Sequence, residues 1–198
     1  MSIFNVLVVG RKGIGKSTFI DIHTNDDGTY NDMSISSVDG EDYKVKYFEY
    51  ELENSVDQYK NKDLILCCFA VNDVDSYNKL DSEYIDETVT HSTSTMLEFS
   101  HVTRHTLQAR REAKGVPLLA VGTKCDLRDD PNRDDMVSVE QGVEMAIKIG
   151  ATAYLEVSTT ENLNLDQLQE EIVKIILHTK PKKTSNFSFG IVKFLLGR

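Results

Sequence analysis

The fold is decided by residues 3–17, which read IFNVLVVGRKGIGKS. Residues 3–9 are almost continuously apolar, as in a strand buried on both faces of a parallel sheet. They lead into Gly10-x-x-x-x-Gly15-Lys16-Ser17, the spacing of a phosphate-binding loop, in which glycine amides, a lysine and a hydroxyl that suits Mg²⁺ surround phosphate oxygens. We predict a nucleotide phosphate site formed by Lys12, Gly13, Ile14, Gly15, Lys16, Ser17 and Thr18, with Ser17 as the metal ligand.

Strand-like and helical segments alternate along the rest of the chain. Asp39-Gly40 predicts a hairpin turn between strands at Met33–Val38 and Tyr43–Tyr50. The other predicted strands are Leu64–Val71, Val116–Val121 and Ala153–Val157, and the predicted helices are Thr18–His23, Val139–Ile149 and Leu165–Leu177. This order predicts an α/β fold of three layers, with a mostly parallel twisted sheet and one antiparallel hairpin strand. Ligands of such sheets bind beyond the carboxyl ends of the strands.

Two of the helices have readable boundaries and faces. Ser138 and Gln141 fit a capping box at the start of the predicted helix Val139–Ile149, and Gly150 ends this helix. Its predicted apolar face comprises Val143, Ala146 and Ile147. The final helix has an apolar stripe formed by Leu165, Leu168, Ile172, Ile175 and Ile176.

Length and charge divide the chain into a body and a tail. The 198 residues suit about one domain, which we place at 1–179, with an inserted segment at about 79–114. The net charge is −10, but residues 180–198 carry five basic side chains and no acid, so the body carries −15. An acidic body lacks the basic footprint of a duplex nucleic-acid binder, and we expect no nucleic-acid partner.

The three cysteines are Cys67, Cys68 and Cys125, an odd number that forms no disulfide framework. No basic region leads into an apolar stretch at the N-terminus, so we expect no signal peptide. The longest strictly apolar run, Leu64–Val71, is too short to cross a bilayer. These features predict a cytoplasmic location.

A second motif, Thr123-Lys124-Cys125-Asp126, directly follows a predicted strand. An aspartate there can accept hydrogen bonds from the ring N–H and the exocyclic amine of guanine, a donor pair that adenine lacks. The predicted guanine-binding residues are Thr123, Lys124, Asp126, Leu127, Ser158 and Thr159. The alternative to guanine binding is, for Lys124-Cys125-Asp126, a solvated surface turn. For Ser158-Thr159-Thr160 it is an ordinary hydroxyl-rich turn that caps the next helix.

Together these motifs resemble the small GTPases of the Ras superfamily, most closely the Rho/Rac branch. The resemblance covers residues 3–18, 38–48, 64–77 and 116–177, and its most telling stretch is VGTKCDLRDD at 121–130. It implies a P-loop GTPase-like fold that binds GTP or GDP with Mg²⁺. It also implies protein effectors or regulators and, often, attachment to a membrane.

The family's Asp-x-x-Gly element is missing, since none of the eleven glycines has an aspartate three residues before it. Counting from the hairpin turn, Glu49, Leu52 and Glu53 occupy the three positions of the family's aspartate, glycine and glutamine. No catalytic residue is therefore assignable, and we expect weak or lost hydrolysis. Lys12 replaces a usual glycine and either crowds the site or points to solvent. Thr24 and Thr29 are the candidates for the first-switch threonine.

Two other segments admit several interpretations. The tail, 180–198, ends without a prenylation cysteine, and its basic and aromatic residues suit either an anionic membrane surface or packing on the body or a partner. In the insertion, Glu98, His101 and His105 share a helical spacing, for which a solvated face is favoured over a metal site. The Thr/Ser run at 88–95 favours a loop over a phosphorylation module.

Three functions follow from these motifs. The first is a guanine-nucleotide-binding, Rho-like signalling protein. The second is a pseudo-GTPase interaction module, in which nucleotide is structural or absent. The third is a P-loop kinase or ATPase, which leaves the Thr123–Asp126 motif unexplained.

Overall fold

The computed structural model describes residues 2–24, 33–49, 61–81, 115–130, 135–179 and 193–195. The strands are β1 (Ile3–Val9), β2 (Met33–Val38), β3 (Glu41–Glu49), β4 (Leu64–Ala70), β5 (Leu118–Thr123), β6 (Ala153–Val157) and β7 (Lys193–Leu195). The helices are α1 (Lys16–Thr24), α2 (Val74–Asp81), α3 (Val139–Lys148) and α4 (Leu165–Thr179), and a 3₁₀ helix spans Cys125–Asp129. Within these ranges, no helix combines the length and apolar character that a bilayer crossing needs.

The strands form one sheet in the order β2-β3-β1-β4-β5-β6-β7. All neighbouring pairs are parallel except β2 and β3, which form the predicted antiparallel hairpin. Asp39 and Gly40 both have positive φ, 53° and 79°, as a tight hairpin turn requires. The mostly parallel sheet with one antiparallel strand is therefore confirmed.

The sheet lies between two helical layers, because alternate residues of its central strands face opposite sides. One core contains Val6 and Val8 of β1 together with residues of α1 and α4. The other contains Leu7 and Val9 together with residues of α2 and α3. β4 is buried at all seven positions, as its apolar sequence predicted. The three-layer prediction is thus confirmed.

Several predicted boundaries differ from the structure. α1 begins at Lys16 rather than Thr18, because the phosphate loop passes directly into the helix. β3 begins at Glu41, two residues earlier than predicted, since the tight turn leaves no intervening loop. β5 covers Leu118–Thr123 instead of Val116–Val121. Pro117, which has no N–H to donate, lies just before this strand.

The predicted capping box of α3 is present, with both reciprocal hydrogen bonds between Ser138 and Gln141. The predicted apolar face is partly wrong, because Ile147 is 58% exposed. The buried residues of the helix are Gly142, Met145 and Ala146. In α4, by contrast, all five residues of the predicted stripe are buried.

The division into a body (1–179) and a tail (180–198) remains a prediction. Three tail residues, Lys193–Leu195, form β7 and pair with Ala153–Leu155 of β6. Of the predicted insertion at about 79–114, residues 79–81 belong to α2 and residues 82–114 lie outside the described residues, as do Thr88–Thr95, Glu98, His101 and His105.

Candidate functional site

A cavity of about 540 Å³ opens at the carboxyl ends of β1, β3, β5 and β6. Its volume lies in the usual range of small-molecule sites. Ten of the thirteen predicted phosphate- and base-binding residues line it: Lys12, Gly13, Gly15, Lys16, Ser17, Thr18, Lys124, Asp126, Leu127 and Thr159. Glu49 and Thr160 complete the lining. The two distant motifs of the sequence therefore share one cavity.

The other three predicted residues, Ile14, Thr123 and Ser158, do not line the cavity. The Ile14 side chain is buried in the core. The Thr123 hydroxyl donates to the Ile14 carbonyl at 2.6 Å and to the Phe69 carbonyl at 3.1 Å. The Ser158 hydroxyl accepts from the Glu161 amide at 3.1 Å. These residues hold the loops in place, and their side chains are not available to a ligand in the cavity.

The phosphate loop depends on glycine at defined points. A Cβ on Gly10 would overlap the backbone carbonyl of Cys68 on β4, so the loop leaves the sheet at a position that only glycine can fill. Gly15 has φ of 98°, and α1 starts at the next residue. The positive end of that helix therefore opens on the cavity, an arrangement that favours anions.

Lys16 is almost fully buried, and its ammonium group has two described partners. Nζ donates to the Arg11 carbonyl at 2.9 Å. It also lies 3.4 Å from Oε1 of Glu49, the last residue of β3. The carboxylate reaches the lysine because β3 is parallel to β1, so both strands end at the same edge of the sheet. An anionic ligand in the cavity therefore has to share Lys16 with Glu49.

The charge of the lining is positive within an acidic body. Lys12, Lys16 and Lys124 face the cavity, against the carboxylates Glu49 and Asp126. Lys12 is exposed where it lines the cavity, so it adds positive potential at the place where a phosphate chain would lie. The lysines of the lining therefore attract an anionic ligand locally, against the repulsion from a body whose net charge is −15.

The base motif forms the 3₁₀ helix Cys125–Asp129 at the end of β5. Lys124, just before it, is in the left-handed region with φ of 61°. Its Nζ donates to the Gly13 carbonyl at 3.0 Å, which ties the base motif to the phosphate loop. Burial raises the pKa of the neighbouring Cys125 thiol to about 11, so this thiol stays protonated at neutral pH.

Asp126 is the one lining residue with a buried side-chain atom that lacks a hydrogen-bond partner among the described residues. Its Oδ1 is buried and has no hydrogen-bond partner among the described residues. A buried carboxylate oxygen without a donor is costly, and it fits a site whose donor is supplied by a ligand. The ring N–H and amine of guanine are such donors, so this residue fits a guanine base. Thr159 and Thr160 also line the cavity.

The first-switch candidate Thr24 does not complete this site. The Thr24 hydroxyl donates to the Ile20 carbonyl at 2.9 Å at the end of α1. It lies seven positions after Ser17, about 10 Å along the helix, which is too far to share a metal ion. Thr29, Leu52 and Glu53 lie outside the described residues. Among the described residues, no group of three or more His, Cys, Asp or Glu could hold a metal.

An ion pair supports the base motif from the side of β6. Nε and Nη2 of Arg128 donate to the two carboxylate oxygens of Glu156 at 2.7 and 2.6 Å. Tyr154 Oη donates to Glu156 Oε1 at 2.6 Å. Burial and the neighbouring Glu156 charge raise the Tyr154 pKa, and the hydrogen bond to Glu156 raises the Arg128 pKa.

The sequence analysis assigned no role to Arg128 or to the Lys16–Glu49 contact. The position of Glu49 at the end of a strand beside β1 was the available signal.

Comparisons with known proteins agree with these features. The Ras family model matches residues 92–178, which is less than half of the chain. The chain is 25% identical to the GTP-binding protein RHO1 of Candida albicans over 201 residues, which cover 90% of each chain. It is 27% identical to the Rho-related protein racI of Dictyostelium discoideum, covering 62% of this chain and 55% of the relative. It is 22% identical to racM of the same organism, covering 86% and 88%.

Proposed function

Because the chain resembles the Ras-superfamily small GTPases, most closely the Rho/Rac branch, we propose that it is a Rho-like protein that binds GTP and GDP in signal transduction. The observation that carries this proposal is the buried, unpartnered Oδ1 of Asp126 in the same cavity as Lys16. One end of the cavity offers cations and a helix N-terminus to phosphates, and the other offers an acceptor to guanine.

Mg²⁺ fits the phosphate end of this cavity. Mg²⁺ prefers oxygen ligands and usually takes only one or two of them from the protein. The Ser17 hydroxyl and the Glu49 carboxylate both line the cavity and supply such oxygens. When bound, the cation neutralises phosphate charge. Ser17 and Glu49 would hold the cation, and Glu49 would then have a cationic partner other than Lys16.

Equilibrium binding to the purified protein tests nucleotide recognition. We expect GDP and GTP to bind much more tightly than ADP and ATP. Lys16→Ala should abolish binding, and Asp126→Ala should remove the preference for guanine. Lys174→Ala is the matched control, because Lys174 lies on α4 and pairs with Glu170 on the surface. Preference for ATP over GTP would contradict the proposal and favour a P-loop kinase or ATPase.

We further propose that GTP hydrolysis is weak or lost. The absent Asp-x-x-Gly element leaves no assignable group to position the attacking water. Lys16 and the α1 N-terminus can still stabilise charge on the phosphates, so binding is retained without rapid turnover. Single-turnover GTP hydrolysis on purified protein tests this. We expect a rate on the order of 10⁻⁴ s⁻¹ or below, and rapid turnover would mean that another residue replaces the family's glutamine.

A pseudo-GTPase interaction module is the second candidate, and the Lys16–Glu49 ion pair favours it. The phosphate-loop lysine already has an internal counter-ion, which reduces the cost of burying its charge without a nucleotide. The two candidate functions differ in whether protein partners distinguish the GTP form from the GDP form. A signalling GTPase should bind effectors or regulators differently in its GTP and GDP forms. Equal binding of a partner to both forms would favour the scaffold.

We propose a cytoplasmic location, with the basic tail (180–198) as the contact to an anionic membrane surface. The tail carries five cations and an aromatic and aliphatic cluster, the composition of a peripheral membrane segment. The pairing of Lys193–Leu195 with β6 supports the other interpretation, in which the tail packs on the body. Sedimentation with vesicles that contain anionic lipid distinguishes the two.

A further inference from the structure

The 3₁₀ helix Cys125–Asp129, which carries Asp126, has little support of its own. It is five residues long and lacks a side-chain cap at its start. The preceding Lys124 has φ of 61°, a conformation that costs energy for any residue with a Cβ and persists only where the surroundings impose it. Since Oδ1 of Asp126 has no partner among the described residues, this oxygen does not anchor the segment either.

Besides the hydrogen bond from Lys124 to the Gly13 carbonyl, the segment is supported by Arg128, two residues after Asp126. Its guanidinium donates hydrogen bonds to both carboxylate oxygens of Glu156, and Nη2 also donates to the Val137 carbonyl at 2.7 Å. Such bidentate pairs fix geometry as well as supplying energy. The side chains are only 24% and 14% exposed, so water competes little for these hydrogen bonds.

Glu156 is in turn held by the rigid part of the fold. It lies on β6, where its carboxylate accepts from Tyr154 Oη. Its backbone carbonyl accepts from Asn164 Nδ2 at 2.8 Å, at the start of α4. Tyr154 is fully buried, and a Cβ added to Gly122 or Gly142 would overlap it, so the tyrosine has little room to move.

The same strand leads to the other base-facing segment. Glu156 comes three residues before Thr159, which lines the cavity with Thr160. The ion pair therefore joins the segment that carries Asp126 to the strand that leads to Thr159. A shift of Arg128 relative to Glu156 would therefore change the position of Asp126 relative to Thr159.

We propose that Arg128 is a positioning residue for base recognition, whose bidentate pair with Glu156 holds Asp126 at the place where it selects guanine. This inference rests on the proposed guanine-nucleotide site. Arg128 does not line the cavity, so it acts through Asp126 and not by contact with a ligand. A purely structural role would lower stability, or the affinity for all nucleotides alike, and would leave base selectivity unchanged.

Selectivity between GDP and inosine diphosphate isolates this effect. Inosine lacks the exocyclic amine and so makes one fewer hydrogen bond to Asp126. A hydrogen bond to a charged group is worth about 10- to 150-fold in affinity, and we expect the unaltered protein to prefer GDP by a factor in that range. Arg128→Ala should reduce the preference to about threefold or less, since a displaced carboxylate no longer distinguishes the two bases. Arg128→Lys should fall close to this value, because lysine keeps the charge but cannot form the bidentate pair.

Lys174→Ala, which removes a surface ion pair, should keep the full preference. Thermal unfolding of each variant shows whether it folds. If Arg128→Ala does not fold, Arg128→Lys and the isosteric Glu156→Gln provide the selectivity measurement. An unchanged GDP preference in the folded variants would overturn the inference but leave the proposed function intact. Failure of the unaltered protein to bind GDP would overturn both.

Discussion

Replacing Glu49 by glutamine tests whether the Glu49 carboxylate competes with the phosphates of a nucleotide for Lys16. Glu49 Oε1 lies 3.4 Å from Lys16 Nζ, and the two side chains are 28% and 3% exposed, respectively. Unit charges at that separation attract by about 5 kcal/mol at an effective dielectric constant of about 20, and by about 1 kcal/mol in water. Because Glu49 keeps contact with water, we place the cost of sharing Lys16 near the lower value, at about 1.4 kcal/mol.

This cost predicts that Glu49→Gln binds GDP about tenfold more tightly than the unaltered protein when Mg²⁺ is removed by a chelator. The phosphates then meet Lys16 without a competing anion. In millimolar Mg²⁺ the gain should disappear, because the Glu49 carboxylate would hold the cation instead of competing for Lys16 and the variant would lack that ligand.

Titration with a fluorescent GDP analogue, with and without chelator, measures both effects. Glu144→Gln is the control, since it changes the net charge equally on an exposed position of α3. If the two variants bind GDP equally in chelator, Glu49 does not compete for Lys16 and the reasoning is refuted.

Three further predictions concern stability, pH and the tail. Gly142→Ala should destabilise the fold by about 1–3 kcal/mol in urea unfolding, because its Cβ would overlap the buried Tyr154 ring. A stabilisation of about 1 kcal/mol would instead mean that helix propensity decides. Burial lowers the pKa of His23 despite the nearby Asp166, so the unfolded chain binds the proton more readily. The stability contribution of His23 should be complete above about pH 6.5 and be lost as the pH falls below it, and His23→Gln should weaken the pH dependence in this range. Deleting residues 180–198 should abolish sedimentation with anionic vesicles, and an intact protein that fails to sediment would remove the membrane proposal.

Local signals in the sequence were sufficient for much of the fold. The Asp39-Gly40 turn requires positive φ at both residues, which few other pairs provide, so the hairpin could be predicted. The capping box at Ser138 and Gln141 is equally local, because its hydrogen bonds join residues three positions apart. Strands buried on both faces, such as Leu64–Ala70, are recognisable as continuous apolar runs.

Other features depend on residues that are distant in sequence. Ile147 was placed on the buried face of α3 because it is apolar, but the buried arc is set by Gly142, which makes room for Tyr154. The three-residue strand β7 is too short to show a period.

The candidate site shows the same limit. The phosphate and base motifs are contiguous in sequence and were predicted, whereas the ion pairs that govern them join Lys16 to Glu49 and Arg128 to Glu156. The first pair depends on the parallel alignment of β3 with β1. The second pair depends on where the 3₁₀ helix contacts β6. Neither arrangement can be predicted from a local sequence pattern.

The most direct test of the central claim is the base preference of Asp126→Asn. Xanthine has a carbonyl in place of the exocyclic amine of guanine, and an asparagine amide can donate to it where a carboxylate cannot. Competition binding of GDP, xanthosine diphosphate and ADP should show that the unaltered protein prefers GDP and that Asp126→Asn prefers xanthosine diphosphate. If the variant keeps the same preference for GDP as the unaltered protein, Asp126 does not read the base and the proposed guanine site is wrong.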